Sequence, residues 1–299
     1  VTEAEFLRAL RHLPLHPGAR GLIDDTALLG GWIVTTDTLV EGVHFVPGDP
    51  PGDIAWKLIA TNLSDLAAKG ARPEGVLLNY PLSDGEWDRA FIAGFSEALR
   101  QFDCPLIGGD TVSLPANAPR VLTVTAFGAD AAAPQRSGAQ AGDALWVTGT
   151  IGDAGAGLAI ARGENGPATL LARYRRPQPR LAEGRALGSV VHAMMDVSDG
   201  LLIDAARMAA ASGLGVTIDL AAVPLSSALA AWHGDDRDVR LAAATAGDDY
   251  ELLFALPEGE TPPVAAIRIG RFAQGAGLTL MDRGESVPLP ARLGFEHAP

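Results

Sequence analysis

Six short acidic clusters, each beside an apolar run or a turn, constrain this chain more than any other feature: Asp24-Asp25, Thr35-Thr36-Asp37, Asn62 to Asp65, Gly109-Asp110-Thr111, Asp196 to Asp199 and Asp248-Asp249. Short Asp side chains that converge from several element ends supply hard oxygen ligands for divalent cations such as Mg2+, which in turn bridge carboxylates to phosphates. A metal-assisted phosphoryl transfer is therefore the first expectation.

The apolar runs between the clusters have an α/β texture. Strand-like runs at 32–36, 76–80, 105–107, 121–127 and 144–147 alternate with helical patterns at 51–69 and 83–102. Ser83 with Glu86 reads as a capping box, and Gly70 as a helix stop. The stretch 128–142, rich in Ala, Gly, Pro and Gln, reads as a connection between halves. Beyond it, helical patterns at 153–162, 168–175, 180–190, 200–212 and 226–232 interleave with strand-like runs at 216–220, 252–256 and 266–269. At 299 residues the chain is long enough for two domains. The fold class expected is mixed α/β in two domains, 1–135 and 136–299, each bringing acidic clusters to a shared site.

Each cluster also has a plainer explanation. Asn62 and Asp65 share one helix face, and Asp65 lies four before Lys69, the spacing of a surface ion pair. Thr35 to Asp37 and Gly108 to Thr111 follow strand-like runs, where turn chemistry accounts for hydroxyls, carboxylates and glycines alike. Ser198 or Asp199 is a natural N-cap for the helix that follows, although a helix N-terminus also attracts anions. His44 and the other histidines show no ligand spacing.

Charge narrows the function classes. Formal net charge is −13, which repels nucleic acid and anionic membranes; an anionic substrate would need cations between it and the protein. The single cysteine, Cys104, excludes an internal disulfide and sits in an apolar run. The stretch 1–10 lacks the order of a secretory leader and no run is long enough for a membrane span, so a cytoplasmic protein is expected. Neither a P-loop nor a three-glycine dinucleotide fingerprint is present.

Read in order, the clusters and their neighbours resemble the thiamine-monophosphate kinases, within the aminoimidazole ribonucleotide synthetase-like superfamily. The carriers are DDTALL at 24–29, TDTLVEGVHF at 36–45, NLSDLAA at 62–68, GGDT at 108–111, RSG at 136–138, VTGTIGD at 147–153, RPQPR at 176–180, DVSDGL at 196–201 and GDDYELLF at 247–254. Each is weak alone; nine in order are specific. Ile23 stands where the family has Gly, and Asp248 where it has Glu.

The resemblance implies ATP-dependent phosphorylation of thiamine monophosphate to thiamine diphosphate by direct in-line transfer assisted by several Mg2+ ions. It implies Asp25, Thr35, Thr36, Asp37, Asp65, Asp110, Asp196 and Asp199 as metal ligands, and Gly109, Asp110, Arg136 and Ser198 as ATP contacts. His44, Asp248 and Phe295 would meet thiamine phosphate. Asp37, Asp65, Asp110 and Arg136 are the catalytic candidates, with no general base, because a phosphate nucleophile is already ionised. Asp24 and Asp249 read as supporting residues. A homodimer is implied, the N-terminal strands of two copies forming a barrel. The alternatives are another ATP-using enzyme of the superfamily, of the aminoimidazole ribonucleotide or selenophosphate synthetase type, or a binding protein without turnover. For the selenophosphate reaction Cys104 is badly placed.

Overall fold

The computed structural model describes residues 2–297. Its first half runs α1 (Glu3–Leu10), β1 (Ala27–Leu29), β2 (Trp32–Val40), α2 (Pro51–Ala68), β3 (Arg72–Leu82), α3 (Gly85–Gln101), β4 (Leu106–Ser113) and β5 (Val121–Ala129). The second half runs β6 (Ala144–Thr148), α4 (Asp153–Ala161), α5 (Ala168–Arg175), α6 (Leu181–Leu187), β7 (Ala193–Asp196), α7 (Leu201–Ser212), β8 (Gly215–Asp219), α8 (Ser227–His233), α9 (Arg237–Thr245), β9 (Leu252–Leu256), β10 (Ala266–Ala273), β11 (Gly277–Asp282) and β12 (Glu285–Val287).

The strands form two mixed, open sheets. In the first the order is β1-β2-β5-β3-β4, and in the second β12-β11-β8-β10-β6-β9-β7. Alternation along β2 and β5 directs Ile33, Leu39, Leu122, Val124 and Ala126 onto α2 and α3. The opposite face carries Thr36, Thr38, Thr123 and Thr125, whose hydroxyls bond in pairs, Thr38 to Thr123 at 2.8 Å and Thr125 to Thr36 at 3.1 Å. A half-solvated antiparallel sheet produces this division.

α2 is the central element. It lies against α3 and the first sheet on one side and against α6 and β7 of the second half on the other. A helix covered on every side needs apolar residues all round, and Ile54 to Ser64 is a continuous buried run. Closeness to the second half is set by Gly184 of α6, where a Cβ would stand 2.0 Å from the Ala67 carbonyl oxygen.

Several boundaries differ from the pattern in the sequence. Thr35 to Asp37 and Gly108 to Thr111 lie inside β2 and β4, which run on to Val40 and Ser113. β-branched residues continue both strands past the polar groups, and Gly109 is required there because a Cβ would sit 1.9 Å from the Leu78 carbonyl oxygen. The cap of α3 is Asp84, not Ser83: its carboxylate accepts from the amides of Glu86 and Trp87. α7 likewise has no cap from Ser198 or Asp199. Instead Asp204, one turn into the helix, accepts from the amides of Asp199 and Gly200 at 3.1 and 3.2 Å. α1, α9, β1, β7, β11 and β12 lie outside the patterned runs.

Candidate active site at the junction of the two halves

The acidic clusters come together where α2 meets the end of β7. Asp65 projects from the last turns of α2 and accepts from the Thr35 hydroxyl of β2. One turn earlier, Asn62 fixes β2 by accepting from the Asp37 amide at 3.0 Å, while its amide group donates to the Leu58 carbonyl at 2.9 Å. From the other half, Asp196 closes β7 and accepts from the Ser64 hydroxyl at 2.6 Å. Asp25 follows the turn 17–22. Oxygens of Asp25, Asp65 and Asp196 all lie within 4.8 Å of one another.

Charge compensation in this group is uneven. Lys69, fully buried at the end of α2, donates to Asp24 at 2.5 Å, to Asp25 at 2.8 Å and to the Met194 carbonyl at 3.2 Å. Its partners are thus Asp24 and Asp25, not Asp65 as the i,i+4 spacing suggests. Arg136 bonds Asp25, and Arg20 bonds Asp24 at 2.6 Å. Burial alone would raise the Asp25 pKa, but Lys69 and Arg136 outweigh it and hold the carboxyl below the usual range.

Asp37, Asp65 and Asp196 have no cation bonded to them among the described residues. Burial, with the charges of Asp199 and Asp25, pushes Asp37 up to about 6. Burial and Asp25 push Asp196 up to about 8. Asp65 is raised well above the ordinary value by burial and by Asp37, Asp196 and Asp25. Carboxylates in this condition are poorly stable as anions until a cation reaches them. The carboxylate and hydroxyl oxygens suit a hard divalent ion.

A second group lies beside the first. His44 follows β2, its ring accepting from the Val40 amide at 3.0 Å, with Phe295 and His297 at 6.4 and 5.4 Å between ring centroids. Phe295 is pinned by its amide, which donates to the Asp199 carbonyl at 2.9 Å, so this tail residue reaches the site despite its distance in sequence. Asp248 accepts from Lys57 at 2.6 Å and from the Tyr250 hydroxyl at 2.9 Å. Asp249 turns away and accepts from the amides of Gly152 and Ala154 at the start of α4.

Three of the residues singled out in the sequence stand apart. The Thr36 hydroxyl is on the opposite face of β2, donating to the Val124 carbonyl at 3.1 Å. Gly109 and Asp110 lie exposed on β4, which is separated from β2 by β5 and β3, about 14 Å at ordinary strand spacing. Ser198 is near the site, its carbonyl accepting from the Asp248 amide at 2.8 Å. Asp199 is bonded by Arg207, which also reaches Asp204 at 3.0 Å. Sequence reading missed Ser64, Lys69, Asp204 and Arg207 as members of the site, and only Lys69 left a signal, a basic residue closing a largely apolar helix.

The match to family models follows the two halves. Residues 23–129 match the AIR synthase related protein N-terminal domain, and 140–283 match the corresponding C-terminal domain. The thiamine-monophosphate kinase of Caulobacter vibrioides is 38% identical across 94% of this chain and 86% of its own length. The chain belongs to the thiamine-monophosphate kinase family. The Escherichia coli K12 member is 40% identical over 80% of this chain and 76% of its own. Among solved structures, AaThiL complexed with AMPPCP and TMP superposes with a TM-score of 0.86 at 29% identity, covering 99% of this chain and 97% of that one. The thiamine-monophosphate kinase from Stenotrophomonas maltophilia K279a gives 0.76 at 37% identity, covering 95% and 96%.

Proposed function

We propose that this chain transfers the γ-phosphoryl group of ATP to the phosphate of thiamine monophosphate, forming thiamine diphosphate and ADP. The bond from the γ-phosphorus to the bridging oxygen breaks as one forms to an acceptor phosphate oxygen. The observation that carries the reading is the convergence of Asp25, Asp65 and Asp196 from both halves, with Asp37 close enough for its charge to act on Asp65, and with cations among the described residues on only one side of the cluster. When bound there, Mg2+ supplies the positive charge that lets two polyanionic substrates approach each other.

The protein's own contribution is placement. Asp37, Asp65, Asp196 and Asp199 are the residues that would hold the ions, with Thr35 keeping Asp65 oriented. Arg136 has one end on Asp25, while its buried Nε has no partner among the described residues; a guanidinium so placed can fork onto phosphate oxygens. His44, Asp248 and Phe295 form the acceptor side, where Phe295, 43% exposed, offers a ring face to a cationic heteroaromatic group. No base is needed, because the attacking oxygen already carries charge.

A second copy of the chain completes this reading. All of β4 is exposed, including Leu106, Ile107 and Val112, and its outer edge has no strand partner among the described residues. An unpaired apolar edge of this kind seeks another strand. Asp110 and Gly109 would then serve the site of the partner copy, with the threonine-lined faces enclosed between them. For compartment, no helix among the described residues is long and apolar enough to cross a membrane.

The deciding experiment couples ADP release to a readout with thiamine monophosphate, thiamine and aminoimidazole precursors as acceptors. Turnover with thiamine monophosphate alone is expected. Tight binding of Mg-ATP without ADP release for any acceptor would sink the proposal.

A further inference from the structure

Lys57 lies within α2 with its side chain 2% exposed, and nothing in the chemistry above uses it. A buried ammonium is costly unless its donors are satisfied. Here Nζ donates to Asp248 at 2.6 Å and to the His44 carbonyl at 3.1 Å, and it stands 4.1 Å from the centroid of the Tyr174 ring. Those partners come from three separate pieces: the loop after β2, the loop before β9, and α5. Tyr174 is itself fixed, its hydroxyl donating to buried Asp49 at 2.8 Å.

Asp248 is held from all sides but one. Its backbone takes the left-handed conformation, φ 68°, its amide donates to the Ser198 carbonyl, and its second carboxylate oxygen accepts from Tyr250. The side chain nevertheless stays 32% exposed, so one side remains open to solvent. A left-handed Asp is a strained choice that persists only where the surroundings enforce it, and Lys57 is the only cation bonded to its carboxylate among the described residues.

We propose that Lys57 is a positioning residue for the acceptor substrate: from α2 it locks Asp248 of the second half and the His44 loop of the first into one arrangement, so that the thiamine moiety meets a preformed site. The proposal rests on the reading of His44 and Asp248 as acceptor contacts. α2 gives it a geometric consequence, because Asp65 lies eight residues further along the same helix, about 12 Å at the helical rise. One rigid element therefore spaces the acceptor contacts from the acidic cluster, and loosening Lys57 affects one substrate and not the other.

The test compares Lys57→Met, Lys57→Arg, Asp248→Asn and the double variant Lys57→Met/Asp248→Asn in the ADP-release assay. Lys57→Met is expected to raise KM for thiamine monophosphate at least about tenfold while kcat and KM for ATP stay within about threefold, and Lys57→Arg to recover part of the loss. In the Asp248→Asn background, Lys57→Met adds little, since the two residues act through one contact. A rise in KM for ATP equal to that for thiamine monophosphate, a fall in kcat alone, or additive effects in the double variant overturns the proposal. Should Lys57→Met fail to fold, Lys57→Arg must show the same acceptor-selective rise in smaller measure, or the proposal fails. Wild-type turnover separates the two readings: its absence defeats the kinase assignment, whereas wild-type turnover with an unselective Lys57 variant defeats only the role of Lys57.

Discussion

Two halves of the same acidic cluster, within 4.8 Å of each other, are treated in opposite ways by the protein. Asp24 and Asp25 meet Arg20, Lys69 and Arg136, three cations that the chain supplies itself. Among the described residues Asp65 and Asp196 bond only to hydroxyls, those of Thr35 and Ser64, and with Asp37 they are pushed upward where Asp25 is held down. The compensated half behaves as a structural anchor tying the turn before β1 to the end of α2. The uncompensated half is the part that could take up cations from outside, as the proposed reaction requires. An acidic cluster is thus two objects, and only its pairing separates them.

The anchor half is broken most directly by Lys69→Met. Asp24 and Asp25, with side chains 2% and 4% exposed, would lose their shared partner and retain only Arg20 and Arg136. Removing one member of a buried ion pair costs about 3–5 kcal/mol, so the unfolding free energy in chelator is expected to fall by an amount in that range, read as a lower denaturant midpoint at unchanged slope. An unchanged midpoint would show that Lys69 anchors nothing and would erase the distinction between the halves.

The uncompensated half predicts the reverse pattern for Asp65→Asn: a loss of about 10²-fold or more in kcat, equivalent to about 3 kcal/mol of barrier, with no loss of stability in chelator, because a repelling charge has gone. Asp110→Asn sharpens the comparison, since this acid lies on exposed β4 rather than in the cluster. If it serves the partner copy, equal mixing of Asp65→Asn and Asp110→Asn chains restores about a quarter of wild-type activity, one intact site in each mixed dimer. Mixing that restores nothing would require Asp110 to act, if at all, within its own chain.

Much of this was legible in the residues. The α/β texture followed from runs such as 121–127 and 252–256, and the long helix at 51–69 from its apolar density, because burial imposes those periods directly. The acids themselves were visible for the same reason: six acidic clusters beside apolar runs have few uses. What stayed hidden depends on partners distant in sequence. Lys69 reads as the i+4 partner of Asp65, yet α2 turns it toward the chain 44 and 45 residues earlier. Asp204 replaces Ser198 and Asp199 as the group that satisfies the start of α7, a reversal that local propensity does not encode. The strands β2 and β4 run through their polar stretches because neighbouring strands complete their ladders, so Thr36 faces away from Thr35 and Asp110 stands far from Asp37. Phe295 is brought in by a hydrogen bond from its backbone amide to the Asp199 carbonyl, which no spacing rule predicts.

The smallest effect tests the charge balance itself, through the dependence of stability on pH. Asp37 and Asp196 have folded pKa values of about 6 and about 8 against an ordinary 3.8. Over that interval the folded state retains protons that the unfolded chain has lost, so their contribution to stability is complete below the ordinary value and is lost as pH rises through about 6 and then about 8. Asp25 runs the other way: its depressed pKa stabilises the fold above the ordinary value and fails only in acid, which leaves it flat across this window. In chelator the melting temperature should therefore decline between about pH 4 and pH 8, beyond the trend set by surface groups. Mg2+ competes with those protons, so the gap between melting temperatures with and without Mg2+ should widen over the same range, and widen less in Asp65→Asn, where one uncompensated charge is gone. A gap that stays constant with pH would mean that Asp37 and Asp196 already have partners, and that the cluster's two halves do not differ.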